Sequence, residues 1–286
     1  MRIAYQGIPG AFSEAAALAL FPSGEPAPHD TFAEVFAALE TGDVDAAAVP
    51  VENSQAGVVV DVYDLLRQHR SLRLVAEALL RVHHHLLGVP GARLEDVRTA
   101  RSHPQALAQV ETYLRERSIR PIVAFDTAGA AAEVAALGDA SVAAVASSRA
   151  AVRYGLAVLE PSIETAPDNM TRFFALARDN APGVADRVPT AMRSGPSKTS
   201  LAYATANVPG ALVRSLQPFA TAGIQLTKIE SRPSRAAPWD YVFYLDFMAD
   251  PAVSPATEAL ALMRTCCDWV HVLGTYPAAT TVLEPD

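Results

Sequence analysis

Short apolar runs alternate with helix-forming stretches through the first half of this 286-residue chain, and that alternation restricts the fold more than any other feature. Residues 2–6, 46–51, 97–101, 122–125 and 141–146 read as strands, several of them continuous runs of small or branched apolar residues. Runs of that kind are buried on both faces, as in a parallel sheet covered by helices. Helix starts lie between them. Ser13 is placed to cap a helix through Leu20, and Thr31-Phe32-Ala33-Glu34 is a capping box for a helix ending near Gly42. Ser102 precedes a helix with Pro104 in its first turn, and Asp126 and Ser147 open two more. The expected class is α/β.

The pattern breaks between residues 178 and 196, where Asn180, Pro182, Gly183, Pro189, Gly195 and Pro196 cluster. This is linker chemistry, and a domain boundary is expected there. Beyond it come a strand (199–206), a turn (207–210), a helix (211–222) and a strand (224–232). A proline-rich hairpin (233–238), a strand (241–248), a helix (255–267) and a strand (270–276) complete a βαββαβ order, the split ferredoxin-like pattern.

Half the residues are hydrophobic, enough for a sizeable core. A net charge of −8 disfavours a nucleic-acid groove or an anionic membrane as partner. Cys266 and Cys267 are adjacent on a predicted helix and read as reduced thiols. With no apolar run of spanning length and no basic-then-apolar leader, a soluble cytoplasmic protein is expected.

Four polar clusters could carry chemistry. Gly7-Ile8-Pro9-Gly10-Ala11-Phe12-Ser13-Glu14 is a glycine loop opening a helix, a natural anion site but equally an ordinary strand–helix turn. Glu52-Asn53-Ser54-Gln55-Ala56-Gly57 follows a strand, where ligands bind in open α/β sheets; Asn53 fits an Asx turn as well. Ser102, Gln105 and Gln109 fit one helix face and its tip, either as converging neutral groups or as a solvated surface. Asp168-Asn169-Met170-Thr171-Arg172-Phe173-Phe174 sets a hydroxyl beside a guanidinium fork suited to a carboxylate. His83-His84-His85 has no accompanying acidic or cysteine cluster, and neighbours on a strand alternate faces. No metal site is expected there; a solvated strand edge or a crossover between lobes fits better.

The four clusters stand in the order and spacing of prephenate dehydratases, with Thr171-Arg172-Phe173 as that family's signature, and the chain resembles that family over nearly its whole length. Gly210-Ala211-Leu212-Val213 and Glu230-Ser231-Arg232-Pro233 resemble the two phenylalanine-binding motifs of its regulatory ACT domain. Val58 is one small departure, at a position often occupied by a small residue. The resemblance implies a two-lobed catalytic domain of the type 2 periplasmic-binding-protein-like kind over residues 1–178. Lobe one would be about 1–80 plus 161–178, lobe two the stretch between, followed by a linker (179–196) and a ferredoxin-like ACT domain (197–280).

The implied activity is cofactor-free conversion of prephenate to phenylpyruvate with loss of water and CO2, in a homodimer or homotetramer regulated by L-phenylalanine. The catalytic set would be Thr171, Asn53, Ser102 and Gln109, with substrate contacts from Arg172, Gln105, Ser13 and Phe173. Arogenate dehydratase, which acts on the amino counterpart of prephenate, is the nearest alternative. A non-catalytic amino-acid-sensing protein on the same lobes is the second.

Overall fold

The computed structural model describes residues 1–181, 183–234 and 241–284. Its first elements are β1 (Arg2–Gln6), α1 (Phe12–Leu20), β2 (Glu25–His29), α2 (Phe32–Thr41), β3 (Ala46–Asn53), β4 (Gly57–Val58), α3 (Val60–Gln68) and β5 (Leu72–Arg81). Next come β6 (His85–Gly88), β7 (Thr99–Ser102), α4 (Pro104–Gln109), α5 (Glu111–Glu116), β8 (Arg120–Val123), α6 (Thr127–Leu137), β9 (Val142–Ala146), α7 (Ser148–Tyr154), β10 (Ala157–Glu160) and β11 (Met170–Arg178). The remainder is β12 (Ser197–Ala204), α8 (Ala211–Thr221), β13 (Leu226–Pro233), β14 (Tyr241–Phe247), α9 (Ala256–Thr265), β15 (Trp269–Pro277) and β16 (Val282–Leu283).

Two compact units emerge. One holds Met1–Leu65, Ala78–Ala175 and Thr281–Asp286; the other holds Leu66–Glu77 and Leu176–Thr280. The two lobes, each built on its own sheet, lie in the first unit except for residues 72–77 of β5 and 176–178 of β11, which are grouped with the second. One sheet has the order β16-β5-β11-β3-β1-β2, with β4 paired to β3; the other has the order β10-β6-β9-β7-β8. Strands β1, β2 and β3 are parallel to one another, as are β7, β8 and β9. The expected two-lobed α/β architecture is therefore present. In the second sheet, Ala143 and Val145 belong to a core cluster with Leu107 and Val110, while Ala144 and Ala146 join Ala130, Ala131 and Val134 in another. Alternate residues of one strand feed two cores, as a strand covered on both faces must.

In the second unit β12, α8, β13, β14, α9 and β15 follow the expected βαββαβ order, with an antiparallel sheet ordered β13-β14-β12-β15. Phe219, Phe247, Leu245, Leu260 and Met263 pack its core. Glu77 and Lys198 meet within this unit at 2.9 Å, with side chains 2% and 12% exposed, and Glu77 also accepts the Ala279 N–H. Residues 235–238 of the expected proline-rich hairpin lie outside the described residues.

Several local expectations are corrected. Strands β2, β10 and β16 were not foreseen. Strand β2 carries Pro26 and Pro28, which a ladder tolerates because β2 is an edge strand. Helix α1 begins at Phe12 with Ala11 as its cap, so Ser13 sits inside the first turn. The capping is done from within: Glu14 accepts the Gly10 N–H at 2.8 Å. Helix α4 is capped by His103, whose side chain accepts the Gln105 N–H, and not by Ser102. Helix α9 ends at Thr265, leaving Cys266 as its cap residue and Cys267 beyond it. Of the two expectations for the histidine run, the crossover holds and the solvated edge does not: His83 and His84 lead from β5 in one lobe to β6, which starts at His85, in the other.

The lobes also touch through the glycine loop. The Ser147 hydroxyl donates to the Gly10 carbonyl at 2.8 Å, and the Tyr154 hydroxyl to the Pro9 carbonyl at 2.7 Å. Gly10 has φ +97°, and a Cβ there would stand 3.0 Å from the Ala150 Cα. Both constraints demand glycine. Gly10→Ala should therefore cost about 1–3 kcal/mol of stability. A thermal unfolding midpoint equal to that of the unmodified protein would contradict this account.

Candidate active site

Strand β3 ends at Asn53, β5 ends at Arg81, and β11 begins at Met170, all at one edge of the first sheet. Backbone bonds hold this edge together: Ser54 N–H donates to the Met170 carbonyl, and Val82 N–H to the Asn169 carbonyl. The carboxyl ends of strands in an open α/β sheet are where loops and ligands meet.

Asn53 organises this edge. Its Oδ1 accepts the N–H groups of Gln55 at 3.0 Å and Ala56 at 2.9 Å, forming the Asx turn expected from the sequence. Those two donors fix the orientation of the amide, because an NH2 group could not accept from them. The Asn53 Nδ2 must then face the other way. It donates to Asn169 Oδ1 at 2.8 Å and to Thr171 Oγ1 at 3.0 Å, with the Met170 carbonyl at 3.2 Å.

The polarity propagates. Asn169 uses its Oδ1 for Asn53, so its Nδ2 donates to Gln109 Oε1, at 3.0 Å. His84 Nε2 approaches that same oxygen at 2.7 Å. Asn169 and Gln109 thereby link the start of β11 to the end of α4 in the second lobe. Asn169 is fully buried, and Thr171 and Arg172 nearly so. Along β11, Arg172 shares a strand face with Phe174, and its guanidinium lies 4.6 Å from that ring. Glu52 stands 4.0 Å away, near enough to orient the cation. Thr171 and Phe173 take the opposite face, where Phe173 packs with Ala15, Ala16 and Leu80. Phe173 therefore supports the strand from the core.

The other expected site residues are placed less centrally. Ser102 is fully buried and donates its hydroxyl to the Val145 carbonyl at 2.6 Å. Gln105 is exposed. Ser102, Gln105 and Gln109 thus point to different surroundings and do not converge, since Gln109 turns toward Asn169 and His84. Ser13 is buried in the first turn of α1, and the Gly10 amide of the expected anion site is taken by Glu14.

Asn169, His84 and Glu164 were missed by sequence reasoning. Asn169 lay inside a motif already quoted, and only its contacts separate it from its neighbours. Glu164 follows Ile163, which is buried in the second-lobe core. It accepts His83 Nδ1 at 2.8 Å and the His84 N–H at 3.0 Å. Burial alone would raise this carboxyl, but those bonds outweigh it and hold Glu164 below the ordinary carboxylate range. His83 Nε2 also meets Glu284 at 3.1 Å. Burial pushes His84 and His85 below the ordinary imidazole value. Among the described residues no group of three or more His, Cys, Asp or Glu could hold a metal ion, and no helix is long and apolar enough to cross a membrane.

In the second unit, Gly210 takes a left-handed conformation and caps α8, while Leu212 and Val213 are exposed on its first turn. Glu230, Ser231, Arg232 and Pro233 lie on β13, an edge strand of its sheet, with Ile229 exposed beside them.

Comparison with known proteins gives a consistent picture. A family model described as prephenate dehydratase matches residues 3–181. Arogenate dehydratase/prephenate dehydratase 1 of Arabidopsis thaliana is 42% identical, across 97% of this chain and 72% of its own length. The prephenate dehydratase of Arthrobacter aurescens, solved in complex with L-Phe, is 29% identical. It superposes with a TM-score of 0.86 over 98% of this chain and 90% of its own. A solved structure described as GqqA, a novel type of quorum-quenching acylase, is 37% identical. Its TM-score is 0.88, over 98% of this chain and 99% of its own.

The buried imidazoles make stability depend on pH. In the unfolded chain His84 binds a proton near the ordinary value of 6.5, whereas the folded chain resists until lower pH. The unfolded state then holds more protons, so stability falls as pH drops through 6.5 and levels off below the folded value. His84→Gln should flatten this decline without abolishing it, since His85 is shifted in the same direction. Urea unfolding midpoints measured across this range check the sign; a midpoint that rises on acidification refutes it.

Proposed function

Because this chain belongs to the prephenate dehydratase family, we propose that it converts prephenate to phenylpyruvate at the end of β3 and the start of β11, where Asn53, Asn169 and Thr171 are bonded together and Arg172 follows on the adjoining face. In this reaction the ring C–O bond and the bond to the ring carboxylate break together. The electron pair left by departing CO2 enters the ring, which becomes aromatic as hydroxide leaves. No redox or electron-sink cofactor is needed. What is needed is stabilisation of charge growing on the departing oxygen.

One observation carries the reading. The Thr171 oxygen accepts a hydrogen from the Asn53 amide at 3.0 Å, so its own hydrogen is directed elsewhere. A hydroxyl that accepts one hydrogen bond becomes a better donor for the next. Thr171 then donates to the leaving oxygen, with Asn53 polarising it and Gln109 steadying Asn169. Arg172 holds the side-chain carboxylate of the substrate. Tight pairing with the ring carboxylate would favour the ground state over escaping CO2, so Arg172 is not assigned there. Phe173 and Ser102 act as supports, Phe173 from the core behind β11 and Ser102 through the Val145 carbonyl, while Ser13 and the exposed Gln105 enter as substrate contacts on the family resemblance alone.

The acylase activity named for GqqA is less well supported. The partner of Thr171 is an amide that donates to it, not a base that would activate it, and Ser102 is bound to a carbonyl. Arogenate remains the competing substrate, since the Arabidopsis relative carries both names.

We assign residues 1–178 to catalysis, 179–196 to a linker and 197–280 to an ACT domain. Gly210, Ala211, Leu212, Val213, Glu230, Ser231, Arg232 and Pro233 form the L-phenylalanine site. The Arthrobacter aurescens structure with L-Phe supports that effector. The edge position of β13 and the exposed Leu212, Val213 and Ile229 support pairing with a second copy, in a homodimer or homotetramer. Two free cysteines accord with a cytoplasmic setting.

Purified protein should form phenylpyruvate from prephenate faster than it forms phenylalanine from arogenate. Thr171→Ala should lower kcat by about 10²–10³, as for one lost transition-state donor, while Thr171→Ser stays active. Equal turnover by the alanine variant and the unmodified protein would remove Thr171 from the mechanism. Calorimetry should show L-phenylalanine binding, weakened by Glu230→Ala; no heat with the unmodified protein would dismiss the effector site.

A further inference from the structure

We propose that His84 is a positioning residue for this reaction: its Nε2–H, donated to Gln109, pins the far end of the amide chain whose other end, Asn53, donates to the Thr171 hydroxyl. The proposal rests on the dehydratase reading above, and it adds a residue that touches neither Thr171 nor the expected substrate contacts.

The chain has two fixed ends. At one end the backbone N–H groups of Gln55 and Ala56 lock the Asn53 amide. At the other, His84 Nε2 lies 2.7 Å from Gln109 Oε1. Between them Asn169 accepts from Asn53 and donates to Gln109. Gln109 Oε1 therefore receives two hydrogens, one from Asn169 and one from His84. A bare Nε2 facing that oxygen would set lone pair against lone pair. His84 must be the Nε2–H tautomer, with Nδ1 carrying no hydrogen. Nδ1 is buried and has no hydrogen-bond partner among the described residues. The alternative tautomer would bury a donor there without an acceptor and break the bond to Gln109.

The imidazole itself is held rigidly. It is 3% exposed, and the Phe12 ring meets it edge-on with centroids 5.8 Å apart. Its backbone N–H is anchored to Glu164. Without the His84 donor, Gln109 Oε1 loses one of the two hydrogens that hold it. The Gln109 amide can then tilt away, its hold on the Asn169 NH2 loosens, and the placement of Asn169 against Asn53, and of Asn53 against Thr171, is no longer sharp.

Kinetics and ring spectroscopy test this together. His84→Leu, which cannot donate, should lower kcat about three- to tenfold, the effect of one neutral hydrogen bond, and leave KM for prephenate nearly unchanged. His84→Gln keeps an amide NH2 in place of Nε2–H and should restore most of the lost kcat. Nitrogen NMR of the histidine rings, with the His84 signal identified by its loss in His84→Gln, should show hydrogen on Nε2 and none on Nδ1. Unchanged kcat in His84→Leu overturns the proposal. So does a failure of His84→Gln to restore kcat while its unfolding midpoint is preserved, or an Nδ1–H tautomer. If His84→Leu does not fold, the glutamine variant and the ring tautomer decide alone. If the unmodified protein does not dehydrate prephenate, the functional reading fails, and the tautomer still reports on the amide chain.

Discussion

Two backbone N–H groups directed at one side-chain oxygen determine much of what this protein can do. The Asx turn at Asn53 is an ordinary local device, a polar side chain closing the loop that follows a strand. Here its consequence is not local. An amide whose oxygen is taken by the backbone has only its NH2 to offer the interior. Each group beyond it inherits a direction: Asn169 accepts and then donates, Gln109 accepts, and Thr171 accepts and keeps its hydrogen for another partner. A single turn thus orients a buried polar network across two lobes, and buried networks of this kind are stable only when every member is satisfied.

The lobes are fastened so that this network can close. Gln109 comes from the end of α4 in the second lobe, whereas Asn53 and Asn169 come from the first. The same pair of lobes meets again where Ser147 and Tyr154 grip the carbonyls of Gly10 and Pro9. Ser147 serves twice, since its oxygen also caps α7 through the Ala150 N–H at 3.1 Å. The crossover at residues 82–84 supplies a third fastening through Glu164 and the His84 backbone. Relative displacement of the lobes would strain all three places, and the polar chain would be the first to lose geometry because hydrogen bonds weaken steeply with misalignment.

Much of the architecture was legible in the sequence because periodicity and turn chemistry are local. The capping box at Thr31 and the caps at Asp126 and Ser147 appear as read. What escaped was decided at long range. Strand β2 carries two prolines and looks unlike a strand, yet an edge position beside β1 accommodates it. Strand β16 is two residues long and exists only because β5 offers a free side. Ser13 and Ser102 have the right residue type for caps, but helix starts at Phe12 and Pro104 place them off by one or two positions. At the site, Thr171, Asn53 and Gln109 stood out as types, whereas Asn169 and His84 became visible only through bonds to residues 60 and 25 positions away.

The choice of neutral groups for this interior follows from the same physics. A charged acid buried beside Thr171 would carry a desolvation cost of several kcal/mol unless paired, and pairing would fix its proton. Amides have no proton to lose, so the direction of the Asn53–Asn169–Gln109 chain is the same at any pH the fold survives. Charge is kept at the margins instead. Arg172 lies over Phe174 with Glu52 at 4.0 Å, and Glu164 stays ionised against His83. His84 sits between these regimes: its ring is neutral because burial disfavours the cation, and that neutrality is compatible with donating through Nε2. A protonated ring would still donate to Gln109, but it would also bury a second donor at Nδ1, where none of the described residues offers an acceptor. Acidification therefore threatens the histidine that terminates the chain before it can disturb any amide within it.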